Sequence, residues 1–153
     1  MKKLIYGSCL ALGILSLGVP ATAQLKYGTD FTTSDAIWTI TNVKVDSNMI
    51  PDYLEGIRQT WTASNDLAKQ MGQIEDYSVY TSALPNGGDY NLILMVKFTN
   101  MAQYEKGRKE FKEFEDAWRK KLSEEKQRSI AKTYPNLRKI VGEYMFRQVE
   151  FLK

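Results

Sequence analysis

Hydrophobic and polar positions alternate along several segments of the chain, and a period of two residues is typical of β-strands. The segment 37–45 is rich in β-branched and aromatic residues, and Ile37, Thr39, Thr41, Val43 and Val45 alternate there with Trp38, Ile40, Asn42 and Lys44. Further strands are predicted over 77–84, 90–98 and 143–152. The segment 90–98 is apolar almost throughout, as expected for a strand that is covered on both faces.

A period of 3.6 residues predicts a first helix after the first strand. Asn48 is one of three candidate N-cap residues, Pro51 suits the first turn, and apolar residues recur at helical spacing as far as Gly72, which ends the helix. The loop 85–89, with the sequence PNGGD, reads as a hairpin-type connection between the second and third strands because its glycines allow positive φ.

A second helix is predicted to begin after Thr99 and Asn100, where Gln103 completes a capping arrangement. Its apolar stripe is formed by Tyr104, Phe111, Phe114, Trp118 and Leu122. We expect this helix to bend between 123 and 133 and to stop near Pro135, because proline disfavours helical geometry in the preceding residue.

The order of elements is therefore β-α-β-β-α-β, which predicts a ferredoxin-like α+β domain. In this fold four strands form one antiparallel sheet, and both helices lie on the same face. Several strands are apolar on both faces, so a monomer would expose a large hydrophobic patch. The sequence predicts a homodimer in which two sheets pack face to face.

The first 23 residues have the pattern of a secretory signal peptide. Lys2 and Lys3 precede an apolar run, and Pro20 is followed by the small residues of a cleavage site before Gln24. The run is short of the roughly 20 apolar residues that a transmembrane helix needs. We expect an exported protein, periplasmic or extracellular, with an N-terminal arm over 24–35 and one domain over 36–153. The single cysteine, Cys9, lies in the leader.

These segments resemble the dimeric α/β-barrel superfamily, which includes antibiotic-biosynthesis monooxygenase, EthD-like and NIPSNAP-like domains. The resemblance is carried by the strand WTITNVKV, which runs into Ser47, Asn48 and a helix with Tyr53 and Trp61, then by Gly72, the strand YSVYTSAL, the Gly87–Gly88 loop before YNLILMVKF, and the closing EYMFRQVEF. It implies a cavity between sheet and helices that holds a small apolar or aromatic ligand. The haem-using members depend on a histidine near the second helix, which this chain lacks, and no single family is assigned.

The absence of histidine limits the chemistry further. The chain has 21 Lys and Arg against 18 Asp and Glu, a formal charge of +3, and no histidine. This excludes Ser-His-Asp and Cys-His nucleophilic sites and a histidine general base. The acidic residues of the second helix alternate with lysine and arginine, as on a solvated helix face. We predict neither a metal site nor a cofactor.

The candidate ligand pocket is aromatic with a few polar groups, a composition typical of small-molecule sites. The residues proposed to line it are Trp38, Asn42, Trp61, Tyr80, Asn91 and Trp118. The predicted fold allows all three tryptophans to point into the layer between sheet and helices. The alternative is that these aromatic residues are ordinary core.

Two other functions stay open at this stage. A cofactor-independent monooxygenase or isomerase would need a proton acceptor, for which Tyr80 or Asp76 is available. A structural or interaction protein would use the basic second helix toward an acidic partner or an anionic membrane. Nucleic acid is not an expected partner of an exported protein.

Overall fold

The computed structural model describes residues 24–84 and 88–153. The predicted signal peptide and residues 85–87 of the predicted hairpin loop lie outside the described residues. The strands are β1 (Phe31–Thr33), β2 (Ile37–Val45), β3 (Asp76–Thr81), β4 (Leu92–Phe98), β5 (Arg138–Phe146) and β6 (Val149–Phe151). The helices are α1 (Ile50–Ile57), α2 (Ala63–Gln70), α3 (Met101–Tyr104), α4 (Arg108–Lys121) and α5 (Glu124–Ala131).

The main sheet confirms the ferredoxin-like prediction. Its strand order is β3-β4-β2-β5, and all neighbouring strands are antiparallel. β4 lies between β2 and β3, although these two follow each other along the chain with a helix between them. This split β-α-β arrangement places the two chain halves in one sheet.

The first predicted helix is continuous from α1 to α2 through a π-helical turn, Arg58–Thr62. Gly72 follows with φ of 67°, a left-handed conformation that glycine adopts without a Cβ penalty, so the helix ends where the sequence predicted. The π turn was not predicted. It contains Trp61, whose ring meets that of Tyr77 edge to face at 5.5 Å.

The second helix differs from the prediction because it is broken. Its capping arrangement is present: Asn100 Oδ1 accepts a hydrogen bond from the Gln103 N–H, and Gln103 Oε1 accepts one from the Thr99 N–H. The helix that begins there ends at Tyr104, and a new one starts after Gly107, which has the extended geometry of an N-cap. The predicted bend near residue 123 is present as the junction between α4 and α5.

The closing strand starts earlier than predicted and is interrupted. β5 begins at Arg138, five positions before the predicted start at Glu143, and the chain after Phe146 continues as β6. β6 pairs with β1 in a separate two-stranded ribbon. The last residues of the predicted N-terminal arm are therefore part of a sheet. Within the described residues, no helix is long and apolar enough to cross a membrane.

The core lies between the sheet and the helices and consists of two clusters. One is built on Val43, Val45, Tyr53, Ile57, Leu92 and Leu94. The other is built on Ile37, Ala68, Ile74 and Phe98, with Phe114 of α4 packed against it. Ile37, Val43 and Val45 are odd-numbered positions of β2, so the even-numbered positions face away from the helices.

Candidate functional site

The face of the sheet opposite the helices is apolar and aromatic, and we call it the open face. Cross-strand register places seven large side chains on it: Trp38, Ile40, Tyr80, Ile93, Met95, Tyr144 and Phe146. Tyr144 is 49% exposed and Phe146 is 51% exposed. A solvated face of an antiparallel sheet is normally polar, so this face has the character of an interface.

The aromatic side chains of β5 are arranged by a glycine. The rings of Tyr144 and Phe146 stack with centroids 5.9 Å apart. A Cβ on Gly142 would stand 2.7 Å from the Tyr144 hydroxyl oxygen, so the tyrosine ring lies across the glycine. A bulge between Asn42 and Val43 in the β2–β5 pairing leaves Gly142 directly opposite Asn42. The Tyr144 hydroxyl therefore lies over Gly142, the residue paired with Asn42.

On the helix side of the sheet, the surface between β2 and β5 is incompletely covered, and we call this surface the trough. Thr39 and Thr41 point to this side and are only partly buried, although the flanking Ile37 and Val43 are fully buried. Thr39 is paired with Met145 and Thr41 with Glu143, and both partners are exposed. Two threonines and one glutamate therefore share this partly exposed helix-side surface. Such a mixture of apolar walls and a few polar groups suits a small ligand.

Arg138 lies on the helix side of β5, opposite Val45 and closer to the start of the strand than Glu143. Its guanidinium packs over the Tyr134 ring at 5.5 Å, and Tyr134 contacts Tyr53 edge to face at 5.6 Å. Burial raises the pKa of Tyr53, and the nearby Arg138 charge opposes this effect. The Arg138 Nε is buried without a hydrogen-bond partner among the described residues. This aromatic and cationic cluster packs on the helix side of the sheet at the Val45 end of β2.

A second concavity lies at the Tyr80 corner of the open face. It has a volume of about 420 Å³, and its walls include Tyr80, Leu84, Tyr90 and Ile93. Tyr80 and Asn91 are the two predicted pocket residues that the structure brings together there. The Asn91 amide, however, accepts a hydrogen bond from the Val45 N–H and donates one to the Val45 carbonyl, both at 2.8 Å. Its role is to join β4 to the end of β2.

The predicted pocket residues do not converge on one site. Trp38 and Asn42 are on the open face, whereas Trp61 is on the helix side. Trp118 lines a shallow cleft of about 250 Å³ at the α4–α5 junction, together with charged residues. The expectation that all three tryptophans share the sheet-helix layer is therefore wrong for Trp38. Its indole instead lies under the Lys97 ammonium, at 5.5 Å.

Sequence reasoning missed the residues of the trough. Thr39, Thr41 and Glu143 were not among the predicted pocket residues. The signal for the threonines was present in the strand pattern, because they occupy the buried-side positions of β2 between Ile37 and Val43. Glu143 alternates regularly with Met145, but the sequence did not show that β5 places it opposite Thr41.

The two candidate proton acceptors lie on the surface. The Lys69 ammonium donates a hydrogen bond of 2.8 Å to the Asp76 carboxylate and holds its pKa below the usual value. Tyr80 is half exposed. A catalytic base needs an enclosed position near a substrate, so neither residue supports the enzyme hypothesis.

The basic second helix is a solvated surface. Arg119 and Arg128 both pair with Glu124, at 3.4 and 3.6 Å, and Lys109 approaches Glu113 at 3.9 Å. Exposed pairs of this kind are screened by salt and contribute little. Within residues 24–84 and 88–153, no cluster of His, Cys, Asp or Glu side chains is arranged to hold a metal ion.

Comparison with known protein families and with curated proteins gives no match. Among solved structures, HapK from Hahella chejuensis shares 13% identity at a TM-score of 0.44, over 73% of this chain and 91% of that one. A dimeric protein of unknown function and ferredoxin-like fold from Bacteroides fragilis shares 12% identity at a TM-score of 0.40, over 78% of this chain and 99% of that one. A dimeric ferredoxin-like protein of unknown function from Thermobifida fusca shares 14% identity at a TM-score of 0.35, over 84% of this chain and 97% of that one. At these values the likenesses carry no functional information, and the fold rests on this chain's own strand order.

Proposed function

We propose that the protein is an exported homodimer that binds a small, largely apolar or aromatic molecule in the trough between the sheet and the helices. The observation that carries the ligand proposal is the interruption of the core at Thr39 and Thr41. These two residues are partly exposed in the middle of a central strand, whereas Ile37 and Val43 on either side of them are 0% exposed.

The open face supports the homodimer. Within the described part of the chain, the helices pack on the other side of the sheet and leave the open face without a cover. A second copy is always present at equal concentration, and most soluble oligomers are two-fold homodimers. The same apolar surface on both partners is self-complementary.

The size of the open face fits this partner. Strands about 4.8 Å apart, with a rise of about 3.4 Å per residue, give a four-stranded face of about seven rows a projected area of roughly 450 Å². A surface covered by side chains exposes more area than its projection. A stable dimer buries about 800 Å² on each partner, so the open face supplies most of what is needed.

The chemistry of the trough supports a ligand with one polar end. The core clusters offer apolar walls, and Thr39, Thr41 and Glu143 offer hydroxyl and carboxylate groups. A ligand hydroxyl or amine would satisfy the carboxylate, while its apolar body displaces water. Export is proposed on the leader pattern of residues 1–23 alone.

Native mass spectrometry of the protein purified from its own host tests the proposal in one measurement. We expect a mass of two chains that begin at Gln24, with a retained small molecule that dissociates under mild activation. A chain that retains residues 1–23 would overturn export. Protein without any retained molecule, at host abundance, would overturn the ligand proposal.

Matched variants locate the ligand. Thr41→Val keeps the shape of the side chain and the packing of β2, but it removes the hydroxyl. We expect at least a tenfold loss of retained ligand, because a polar ligand group is left without its partner. Tyr90→Ala in the corner cleft is the control and should retain the ligand. If Tyr90→Ala loses the ligand and Thr41→Val keeps it, the site is the cleft.

A further inference from the structure

Asn42 and the Tyr144 hydroxyl are polar groups on the inner and outer strands of the β2–β5 side of the open face. Asn42 is paired with Ile93 on one side and Gly142 on the other, and it is partly buried even in the single chain. Its side-chain amide makes no hydrogen bond among the described residues. The Tyr144 hydroxyl lies across Gly142, and it too has no hydrogen-bond partner in that part of the chain.

We propose that Asn42 and the Tyr144 hydroxyl form the polar contact that fixes how the second copy packs on the open face. The inference rests on the proposed homodimer and names the groups that make its geometry unique. An amide carries both donors and acceptors, and a phenol can donate and accept. The pair can therefore hydrogen-bond to the same pair on a copy related by a two-fold axis.

The energetic reason lies in the cost of leaving these groups unpaired. A flat apolar face defines position weakly, since many arrangements bury similar area. A buried amide or hydroxyl without a partner costs about 1–3 kcal/mol. Arrangements that leave the Asn42 amide against apolar side chains are therefore disfavoured. A single buried asparagine fixes the register of coiled coils in the same way.

Two charged residues of the open face, Asp76 and Lys97, do not take this role. Lys97 pairs with Glu75 of its own chain at 2.6 Å, and Asp76 pairs with Lys69. These ion pairs lie at the end of the sheet near Trp38, where the register joins Asp76, Lys97 and Trp38 in one row. They form a polar rim, which typically surrounds an apolar interface centre.

Pulsed electron spin resonance between the two copies tests the inference. A nitroxide is attached at Glu55→Cys, an exposed α1 position on the helix side, in a background of Cys9→Ser that leaves one thiol. The unmodified face should give one narrow distance between the labels. Asn42→Leu, of similar size, should give two or more distances, or one at least twice as broad. Met95→Leu on the neighbouring row is the control and should leave the distance unchanged.

The outcomes separate this inference from the homodimer. A single narrow distance in Asn42→Leu, equal to that of the native face, overturns the role of Asn42 while the homodimer stands. No distance between copies in the native protein overturns both. Tyr144→Phe supplies an independent variant, since it keeps the stacked ring: we expect the same broadening, and an unchanged distance removes the hydroxyl from the contact.

Discussion

Tyr77 is the residue whose chemistry the structure changes most. Its hydroxyl donates a hydrogen bond of 2.6 Å to the Asp66 carboxylate, and its ring packs on Trp61. Burial, followed by the Asp66 hydrogen bond and charge, raises the pKa of Tyr77 from 10.0 to about 12. The folded protein therefore holds this proton more tightly than the unfolded chain. The stabilisation is complete below pH 10 and is lost as the pH rises toward about 12.

Tyr77→Phe should remove this dependence. We expect a loss of about 1 kcal/mol in the free energy of unfolding near pH 8, because the hydrogen bond to a charged group is lost. Between pH 10 and 12 the variant should lose less stability than the native protein. Urea unfolding across this range measures both effects, with Tyr90→Phe as the control. Equal alkaline slopes in all three proteins would show that Tyr77 is not the responsible group.

Asn91 gives a second prediction at this scale. Asn91→Ala removes both hydrogen bonds to the Val45 backbone. The Val45 residue is buried, with 1% of its surface exposed. Leaving two backbone groups unpaired should cost about 2–3 kcal/mol. Thermal or urea unfolding measures the loss, and Asn48→Ala at an exposed position is the control. A change below about 0.5 kcal/mol would mean that water replaces the amide.

The residue scale also shows where sequence reasoning ends. The type of Asn91 suggested a pocket group, but its partners are 46 positions away along the chain, and no local pattern encodes such a pairing. Thr39 and Thr41 were visible as polar residues on a buried strand face. The pattern of β2 did not show which residues of β5 lie opposite them, which are Met145 and Glu143.

At the scale of elements, the strands of the main sheet were the most predictable part. The β2 bounds agree with the alternating segment, because alternation acts over neighbouring residues. The break in the second helix was not predicted. There the Lys106 ammonium lies over the Phe98 ring at 5.5 Å, a tertiary contact that the helical pattern does not encode. Burial lowers the pKa of Lys106.

The end of the first helix supplies the element-scale prediction. Gly72 has φ of 67°, and a Cβ there would meet no atom within 4 Å, so conformation alone opposes a side chain. Gly72→Ala should destabilise the protein by about 1–2 kcal/mol. Gly88→Ala also has open space around its Cβ, and it is the control. If both variants unfold at the same urea concentration as the native protein, the left-handed turn is not maintained in solution.

At the scale of the whole molecule, the apolar character of both sheet faces was predictable from the sequence, and it is the basis for expecting a dimer. The helices account for one face through the core clusters. The open face and the β1–β6 ribbon, where Phe151 is 74% exposed, remain as apolar surface. A two-stranded ribbon is marginally stable by itself in water. We therefore expect the ribbon to gain protection in the dimer, which hydrogen exchange of residues 149–151 at high and low protein concentration would measure.

The central claim is that a second copy covers the open face, and sedimentation equilibrium of matched phenylalanine variants tests it most directly. Phe146 on the open face is 51% exposed, and Phe111 on α4 is 57% exposed, so Phe146→Glu and Phe111→Glu place the same charge on equally accessible sites of opposite sides. We predict that the native protein and Phe111→Glu sediment as dimers, while Phe146→Glu dissociates at least a hundredfold more readily and sediments as a folded monomer. A monomeric native protein, or a Phe146→Glu variant that remains dimeric, would contradict the account.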